Sequence, residues 1–337
     1  MREFLCIVFV MASSTIASAQ VPQTEISNGV IKAQILLPDA AKGFYRGTRF
    51  DWSGVIGSLE YKGHNYYGPW FTKFEADVHD FIFSGPDIIA GACSAAMGPV
   101  EEFSVDEPLG FNEAKPGQTF IKIGVGILRK PDNKKYDNYH LYEIVDSGPW
   151  RVYPKPDSVE FVQQIEDPST GYSYTYTKTV RLIAGKPEMT IEHSLKNIGK
   201  HAIRTSVFDH NFLVLDKHPI GPDFTISVPF AIKTSEPPDP KLAAVQGNRI
   251  LYKQILKGKQ TVALPIQGFG NTAADYSITI ENKHVGAGMK VTGDRPLANA
   301  ALWSIRSVLA MEPFVDISID PGQEFDWKYH YSYYTLP

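Results

Sequence analysis

The segment Phe325-Asp326-Trp327-Lys328-Tyr329-His330-Tyr331-Ser332-Tyr333, close to the end of the chain, decides the fold class. An aromatic residue occupies every second position, and each residue between is polar or charged. Because successive side chains of a β-strand point to opposite faces, this pattern predicts a strand with one buried face and one exposed face. The same period of two recurs in residues 189–196, 224–228 and 276–280.

Turn-forming residues separate these segments at short intervals. Residues 167–171 (Asp-Pro-Ser-Thr-Gly), 184–187 (Ala-Gly-Lys-Pro) and 320–322 (Asp-Pro-Gly) have the composition that tight turns require. No long run shows an apolar period of 3.6, and the best helix candidate is a single turn at residues 241–245. Many strands and few helices predict an all-β fold, a large antiparallel β-sandwich. No change of composition marks a linker, so residues 20–337 are predicted to form one domain.

Residues 1–19 have the pattern of a signal peptide. Arg2 supplies a positive start, residues 5–11 a short apolar run, and Ala17-Ser18-Ala19 a small-residue cleavage pattern. A membrane-spanning helix needs about 20 apolar residues, and this run is shorter. The sequence therefore predicts export to a periplasm or the extracellular space, with a mature chain that begins near Gln20.

Charge and cysteine content narrow the range of partners and cofactors. The net charge of −4 gives no electrostatic reason to expect nucleic acid or an anionic membrane as partner. After cleavage Cys93 is the one remaining cysteine, so no intramolecular disulfide is expected. The histidines are scattered and form no close-set zinc motif, and no phosphate-binding glycine loop occurs. We therefore expect neither a metal nor another cofactor.

Two segments point to a specific family. The first is Ser206-Val207-Phe208-Asp209-His210-Asn211-Phe212-Leu213, followed by Asp223-Phe224-Thr225-Ile226. The second is Ser307-Val308-Leu309-Ala310-Met311-Glu312-Pro313-Phe314, followed by a Pro-Gly turn and the aromatic last strand. Both resemble aldose 1-epimerases, the galactose mutarotase-like superfamily. The resemblance implies a two-sheet supersandwich fold, with His210 as catalytic acid and Glu312 as catalytic base.

Four further residues are candidates for substrate binding. The region of residues 123–161 resembles the part of the epimerases that holds a sugar-binding Arg and a His, and Arg129 and His140 are the corresponding candidates. Asp209 stands where the family usually has Asn. Arg49 lies in residues 44–52, which combine two Arg, an Asp and several aromatic residues. Aromatic faces and Arg forks suit sugars, so this segment is predicted to wall a sugar cleft.

The predicted reaction is the interconversion of sugar anomers. A carboxylate removes the proton of the anomeric hydroxyl while an imidazolium protonates the ring oxygen, and the opened ring recloses on its other face. Glu312 and His210 are expected to lie on opposite sides of a single pyranose. Glu312 lies in an apolar run, and charged groups are rarely buried without a partner, so structural ion pairing is the rival interpretation.

Two other classes of function remain open on the same fold. One is a non-catalytic carbohydrate-binding protein, in which Glu312 or His210 would face away from the cleft. The other is a polysaccharide lyase or hydrolase, for which Arg46 and Arg49 could neutralise a uronate and for which the cleft would be longer than one sugar ring. These alternatives stay open because fold alone does not fix the reaction. In every case the expected partner is a monosaccharide or a glycan.

Overall fold

The computed structural model describes residues 21–104 and 107–337, so the predicted signal peptide of residues 1–19 lies outside the described residues. Among the described residues the regular elements are strands, apart from two short 3-10 helices at Leu215–Lys217 and Ala273–Asp275. The predicted all-β fold is confirmed. None of the helices in the described ranges has the length or the apolar character needed to cross a membrane.

The strands, in chain order, are β1 (Gln23–Ser27), β2 (Lys32–Leu36), β3 (Val55–Tyr61), β4 (His64–Asn65), β5 (Lys73–Phe74), β6 (Phe81–Ser84), β7 (Asp87–Ala90), β8 (Gly98–Phe103), β9 (Thr119–Lys122), β10 (Gly126–Arg129), β11 (Glu143–Asp146), β12 (Trp150–Pro154), β13 (Ser158–Glu166), β14 (Ser173–Leu182), β15 (Glu188–Asn197), β16 (Ile203–Phe212), β17 (Phe224–Ser227), β18 (Ala243–Gln246), β19 (Arg249–Tyr252), β20 (Val262–Pro265), β21 (Ser277–Asn282), β22 (Ala287–Gly293), β23 (Asn299–Ile305), β24 (Val308–Ile319) and β25 (Glu324–Thr335).

Two antiparallel sheets form the sandwich. The larger has ten strands in the order β12-β13-β14-β15-β25-β22-β21-β17-β19-β18, and the smaller has five in the order β20-β23-β24-β16-β8. In β25 the aromatic side chains at 327, 329, 331 and 333 are buried, whereas Asp326 and Lys328 are exposed. The predicted alternation thus places the aromatic face of β25 in the core between the sheets.

The helical turn predicted at residues 241–245 is wrong. Residues Ala243–Gln246 form β18, the edge strand of the ten-stranded sheet, and Val245 lies opposite Ile250 of β19. The segment is only four residues long, and so short a run cannot distinguish a period of two from one of 3.6. Pairing with β19 therefore decided its conformation.

The core between the two sheets contains a cluster of charged groups. The Lys178 ammonium on β14 donates to the Glu101 carboxylate on β8 and lies 3.3 Å from Oδ2 of Asp51. His193 Nε2 lies 2.8 Å from the other oxygen of Glu101. All these side chains are buried. Buried charges are tolerated only when paired, and here each lies against an opposite charge or a hydrogen-bonding partner.

The opposite face of the five-stranded sheet is also covered. A second apolar cluster there includes Phe50, Trp70, Phe208 and Phe212. Phe50 and Trp70 come from segments early in the chain, which also contribute the small sheets β1-β2-β3-β4, β5-β7-β6 and β11-β10-β9. These early segments leave a cavity over the five-stranded sheet, and the candidate site lies in it.

Candidate active site

His210 and Glu312 lie side by side on adjacent strands of the five-stranded sheet. The β16–β24 pairing sets Phe208 opposite Phe314, and a bridge joins Leu213 to Leu309, so His210 falls opposite Glu312. His210 Nε2 lies 3.0 Å from Glu312 Oε1, and the side chains are 6% and 15% exposed. The structure brings the two predicted residues together, but on one wall of the cavity. The expectation that they bracket a sugar from opposite sides is not met, because cross-strand neighbours point the same way.

The His210 ring is held in an aromatic sandwich. It stacks on Phe212 with ring centroids 3.8 Å apart, and Phe50 meets it edge-on at 5.7 Å. Its Nδ1 is buried and has no hydrogen-bond partner within the described parts of the chain. Nε2 is therefore the ring nitrogen that contacts Glu312.

The carboxylate of Glu312 is tuned by its surroundings. Burial raises the pKa of Glu312, but the charge and hydrogen bond of His210 outweigh burial and hold that pKa below its usual value. Glu312 is therefore ionised at neutral pH. An ionised carboxylate in contact with an imidazole combines a proton acceptor with a proton carrier, as general acid–base catalysis requires.

The pair opens into a cavity of about 330 Å³, within the range typical of small-molecule sites. Its lining combines charged and aromatic side chains; besides His210 and Glu312, it includes Arg49, Trp70, Asp80, Phe81, Tyr139 and Trp303. A larger groove of about 1020 Å³ lies on the other side of the segments that wall this cavity. That groove is mainly apolar and holds no histidine, so the smaller cavity is the candidate active site.

Arg49, predicted from its unusual segment, lines the cavity. Its Nε donates to Glu102 Oε2 at 2.6 Å, and the guanidinium lies over the rings of Phe50 and Tyr139 at 4.4 and 4.7 Å. Lys122 Nζ approaches Glu102 from the other side at 3.6 Å. Arg49 is therefore held rigidly by one edge and by both faces of its guanidinium.

The structure does not bring Arg129, His140 or Asp209 into the cavity. Arg129 Nε donates to Glu143 at 2.8 Å on a small peripheral sheet. His140 is exposed and packs on Tyr142, with ring centroids 4.6 Å apart. Asp209 precedes His210 on β16 and therefore points the other way, into the core. Its carboxylate accepts a hydrogen bond from the Tyr331 hydroxyl there, and it is fully buried.

Three polar residues of the site were not predicted as site residues. Asp80, Tyr139 and Glu102 reach the cavity or its lining Arg from separate loops and from β8. Glu102 could have been predicted from the sequence, because two consecutive glutamates, Glu101 and Glu102, interrupt the otherwise apolar residues 98–103. Asp80 and Tyr139 lie in irregular segments whose position depends on long-range packing.

No group of three or more His, Cys, Asp or Glu within residues 21–104 and 107–337 is arranged to hold a metal ion. Proton transfer by a carboxylate and an imidazole, with aromatic faces against the ligand, is what this arrangement can perform.

Comparison with known proteins places this geometry in a known fold. No protein-family model matches the sequence, and no curated protein matches it. Among solved structures, a galactose mutarotase-like protein from Lactobacillus casei aligns over 93% of this chain and 100% of its own, with a TM-score of 0.51 and 14% identity. The chain has the galactose mutarotase-like fold.

Two further structures support the assignment of this mutarotase-like fold. An aldose epimerase homologue from C. elegans aligns over 94% of this chain and 100% of its own, with a TM-score of 0.53 and 13% identity. A protein from Synechocystis sp. aligns over 96% of this chain and 100% of its own, with a TM-score of 0.55 and 11% identity. Identities this low establish the architecture, and function rests on the site.

Proposed function

We propose that the protein is a carbohydrate-active enzyme of the aldose 1-epimerase type, which opens and recloses the hemiacetal ring of a free sugar. The observation that carries the proposal is the contact between His210 Nε2 and Glu312 Oε1, 3.0 Å apart at the wall of a cavity lined by aromatic side chains. A purely carbohydrate-binding protein gives no reason for both groups to face the cavity.

The side-by-side arrangement suits the two atoms that exchange protons. The anomeric oxygen and the ring oxygen of a pyranose are bonded to the same carbon, so neighbouring side chains on one wall can reach both. Glu312 takes the proton of the anomeric hydroxyl as its C–O bond becomes a carbonyl. The bond from that carbon to the ring oxygen breaks, and the ring oxygen takes a proton from His210.

The reverse steps restore the enzyme. The aldehyde rotates about its bond to the neighbouring carbon. The hydroxyl formed from the former ring oxygen then attacks the other face of the aldehyde and returns its proton to His210. Glu312 returns its proton to the new anomeric oxygen. Protons and electrons balance within the sugar and the two side chains, so the reaction needs no co-reactant.

The shape of the cavity supports a monosaccharide over a polymer. A volume of about 330 Å³ is at the lower end for small-molecule sites, whereas a polysaccharide lyase or hydrolase needs a longer cleft. Trp303 and Phe81 offer apolar faces for the C–H surfaces of a sugar ring, and the buried Trp70 packs against both rings.

Polarimetry of freshly dissolved α-D-glucose and α-D-galactose tests the proposal. We expect the wild-type protein to accelerate the change in rotation and Glu312→Gln to abolish the acceleration. Glu188→Gln is a matched control, because Glu188 forms a diagonal cross-strand pair with His330 at 3.1 Å on the ten-stranded sheet, outside the lining of the cavity. Binding of either sugar without acceleration would replace the enzyme proposal with a binding protein.

We also propose that the chain is exported, on the strength of the signal-peptide pattern in residues 1–19. Expression of the full chain in a bacterial host, followed by fractionation and intact-mass measurement, should give a mature protein that begins near Gln20 outside the cytoplasm. An uncleaved chain in the cytoplasm would overturn this proposal.

A further inference from the structure

The backbone of Asp80 has a conformation that residues other than glycine seldom adopt. Its φ is +59°, in the left-handed region. Gly91 donates its backbone N–H to the Asp80 carbonyl at 2.7 Å, and a Cβ on Gly91 would lie 1.8 Å from the Val78 carbonyl oxygen. The missing side chain of Gly91 thus lets its backbone pack closely against the backbone of residues 78–80, and the Asp80 side chain lines the cavity. Such strain is concentrated at functional sites.

The carboxylate of Asp80 is only partly satisfied by the protein. The Ser94 hydroxyl donates to Oδ1 at 2.6 Å, and among the described residues Ser94 is the one hydrogen-bond partner of this carboxylate. Burial raises the pKa of Asp80 above its usual value. The side chain lines the same cavity as His210 and Glu312. An acceptor is therefore held in place with capacity left for a ligand.

Arg49 supplies the complementary donors. Its Nε is committed to Glu102, and neither terminal nitrogen donates a hydrogen bond to the part of the chain that the structure describes. The charge of Arg49 offsets part of the rise that burial causes in the pKa of Asp80, so the two groups are near each other. They nevertheless form no ion pair within 4.0 Å in the described residues. Opposite charges that share a cavity without meeting leave a gap that hydroxyl groups can bridge.

We propose that Asp80 and Arg49 together bind two adjacent hydroxyls of the sugar and make the site selective for aldoses in which both hydroxyls are free. This inference rests on the proposed function, since it assigns the sugar's orientation in the same cavity. A hydroxyl donates to the Asp80 carboxylate, and its neighbour accepts from the Arg49 guanidinium. Adjacent hydroxyls on a pyranose present this pairing to a single acceptor and a single donor.

The test compares Asp80→Asn with wild type on D-glucose and on its 2-, 3-, 4- and 6-deoxy analogues, by anomeric exchange NMR. We expect Asp80→Asn to raise KM for glucose about 10- to 100-fold with little change in kcat, as for loss of a hydrogen bond to a charged group. One deoxy analogue should show the same loss with wild type and no further loss with Asp80→Asn. Asp77→Asn, an exposed residue of the same segment, is the matched control.

Two additional measurements separate the possible outcomes. Thermal unfolding should show Asp80→Asn folded, and Ser94→Ala should raise KM by a smaller factor because it frees the carboxylate without removing it. An unchanged KM for Asp80→Asn on every sugar would overturn the inference and leave the epimerase proposal standing. If wild type accelerates no sugar, titration calorimetry with glucose decides: binding that Asp80→Asn loses supports the inference, and binding that it keeps overturns it.

Discussion

His210 Nε2 and Glu312 Oε1 lie 3.0 Å apart, and the register of β16 against β24 places the two side chains on one wall of the cavity. Direct contact makes the pair a single proton-transferring unit. Each group on its own typically contributes about 10²- to 10⁴-fold to a rate.

The effects of removing these two groups should therefore not add. We expect His210→Gln and Glu312→Gln each to slow mutarotation about 10²- to 10⁴-fold, and the double variant to be nearly as slow as the worse single variant. Rates come from polarimetry at saturating and subsaturating sugar. Multiplicative losses in the double variant would show that the two groups act independently.

Arg49 and Glu102 should depend on each other for stability. Arg49→Met leaves the fully buried Glu102 carboxylate with the more distant Lys122 and a long hydrogen bond from Asn138, so we expect a loss of about 3 kcal/mol in the free energy of unfolding. Glu102→Met added to it should restore only part of this loss, because the unpaired carboxylate is removed but the buried Lys122 ammonium loses its counter-charge. Urea unfolding measures both.

Arg129→Met serves as the matched control for Arg49. Arg129 also pairs with a glutamate, Glu143, but both side chains are largely exposed, at 39% and 61%. We expect its removal to cost under about 1 kcal/mol. Equal losses in the free energy of unfolding for Arg49→Met and Arg129→Met would show that burial does not make the Arg49–Glu102 pair more important for stability.

Lys178 should be among the most sensitive positions in the core. It faces two buried carboxylates, Asp51 and Glu101, and all three side chains are inaccessible to solvent. Lys178→Met leaves Glu101 with His193 and Asp51 with hydroxyl donors but no ammonium, so we expect a destabilisation of about 3–5 kcal/mol. Lys196→Met, an exposed lysine on β15, should unfold like wild type. A small effect of Lys178→Met in urea unfolding would show that the acids are held neutral.

Asp209 predicts a dependence of stability on pH. Burial raises the pKa of Asp209 well above its ordinary value of 3.8. As the pH rises above 3.8, the unfolded chain releases a proton that the folded chain retains. Because the folded state then binds more protons, the contribution of Asp209 to stability falls as the pH rises toward its folded pKa.

Asp209→Asn should remove this dependence. We expect the variant to gain stability relative to wild type as the pH rises from about 4 to 8, with urea unfolding at each pH as the measurement. Asp326→Asn, an exposed residue on β25, should show no such gain. A difference between Asp209→Asn and wild type that stays constant with pH would show that Asp209 is ionised in the folded protein.

The period of two in the sequence was sufficient to predict most of the fold. It identified β15, β17, β21 and β25, since each combines a buried face with an exposed one. It failed at β18, where four residues are too few to reveal a period. The motif contexts placed His210 and Glu312 in regular strands, where register alone brings them together.

The remaining parts of the cavity could not be predicted in the same way. Asp80 and Tyr139 come from irregular segments, and their approach to His210 depends on contacts between residues far apart in sequence, such as Gly91 against Val78. Arg129 and His140 were predicted from a resemblance in a region whose strands are short and peripheral in this chain. Asp209 is adjacent to His210 in the sequence, but neighbours on a strand point to opposite faces, so its side chain enters the core and not the cavity.

The consecutive residues Glu101 and Glu102 in β8 have a consequence for the evolution of the chain. Glu101 faces inward to Lys178, and Glu102 faces outward to Arg49. Inserting or deleting a single residue in β8 would shift the strand by one position, so either Val100 or Phe103 would replace a glutamate, and one of the two cations would lose its carboxylate. Length changes should therefore accumulate in the exposed turn at Lys62 and Gly63, where added atoms meet open space, and be purged from β8.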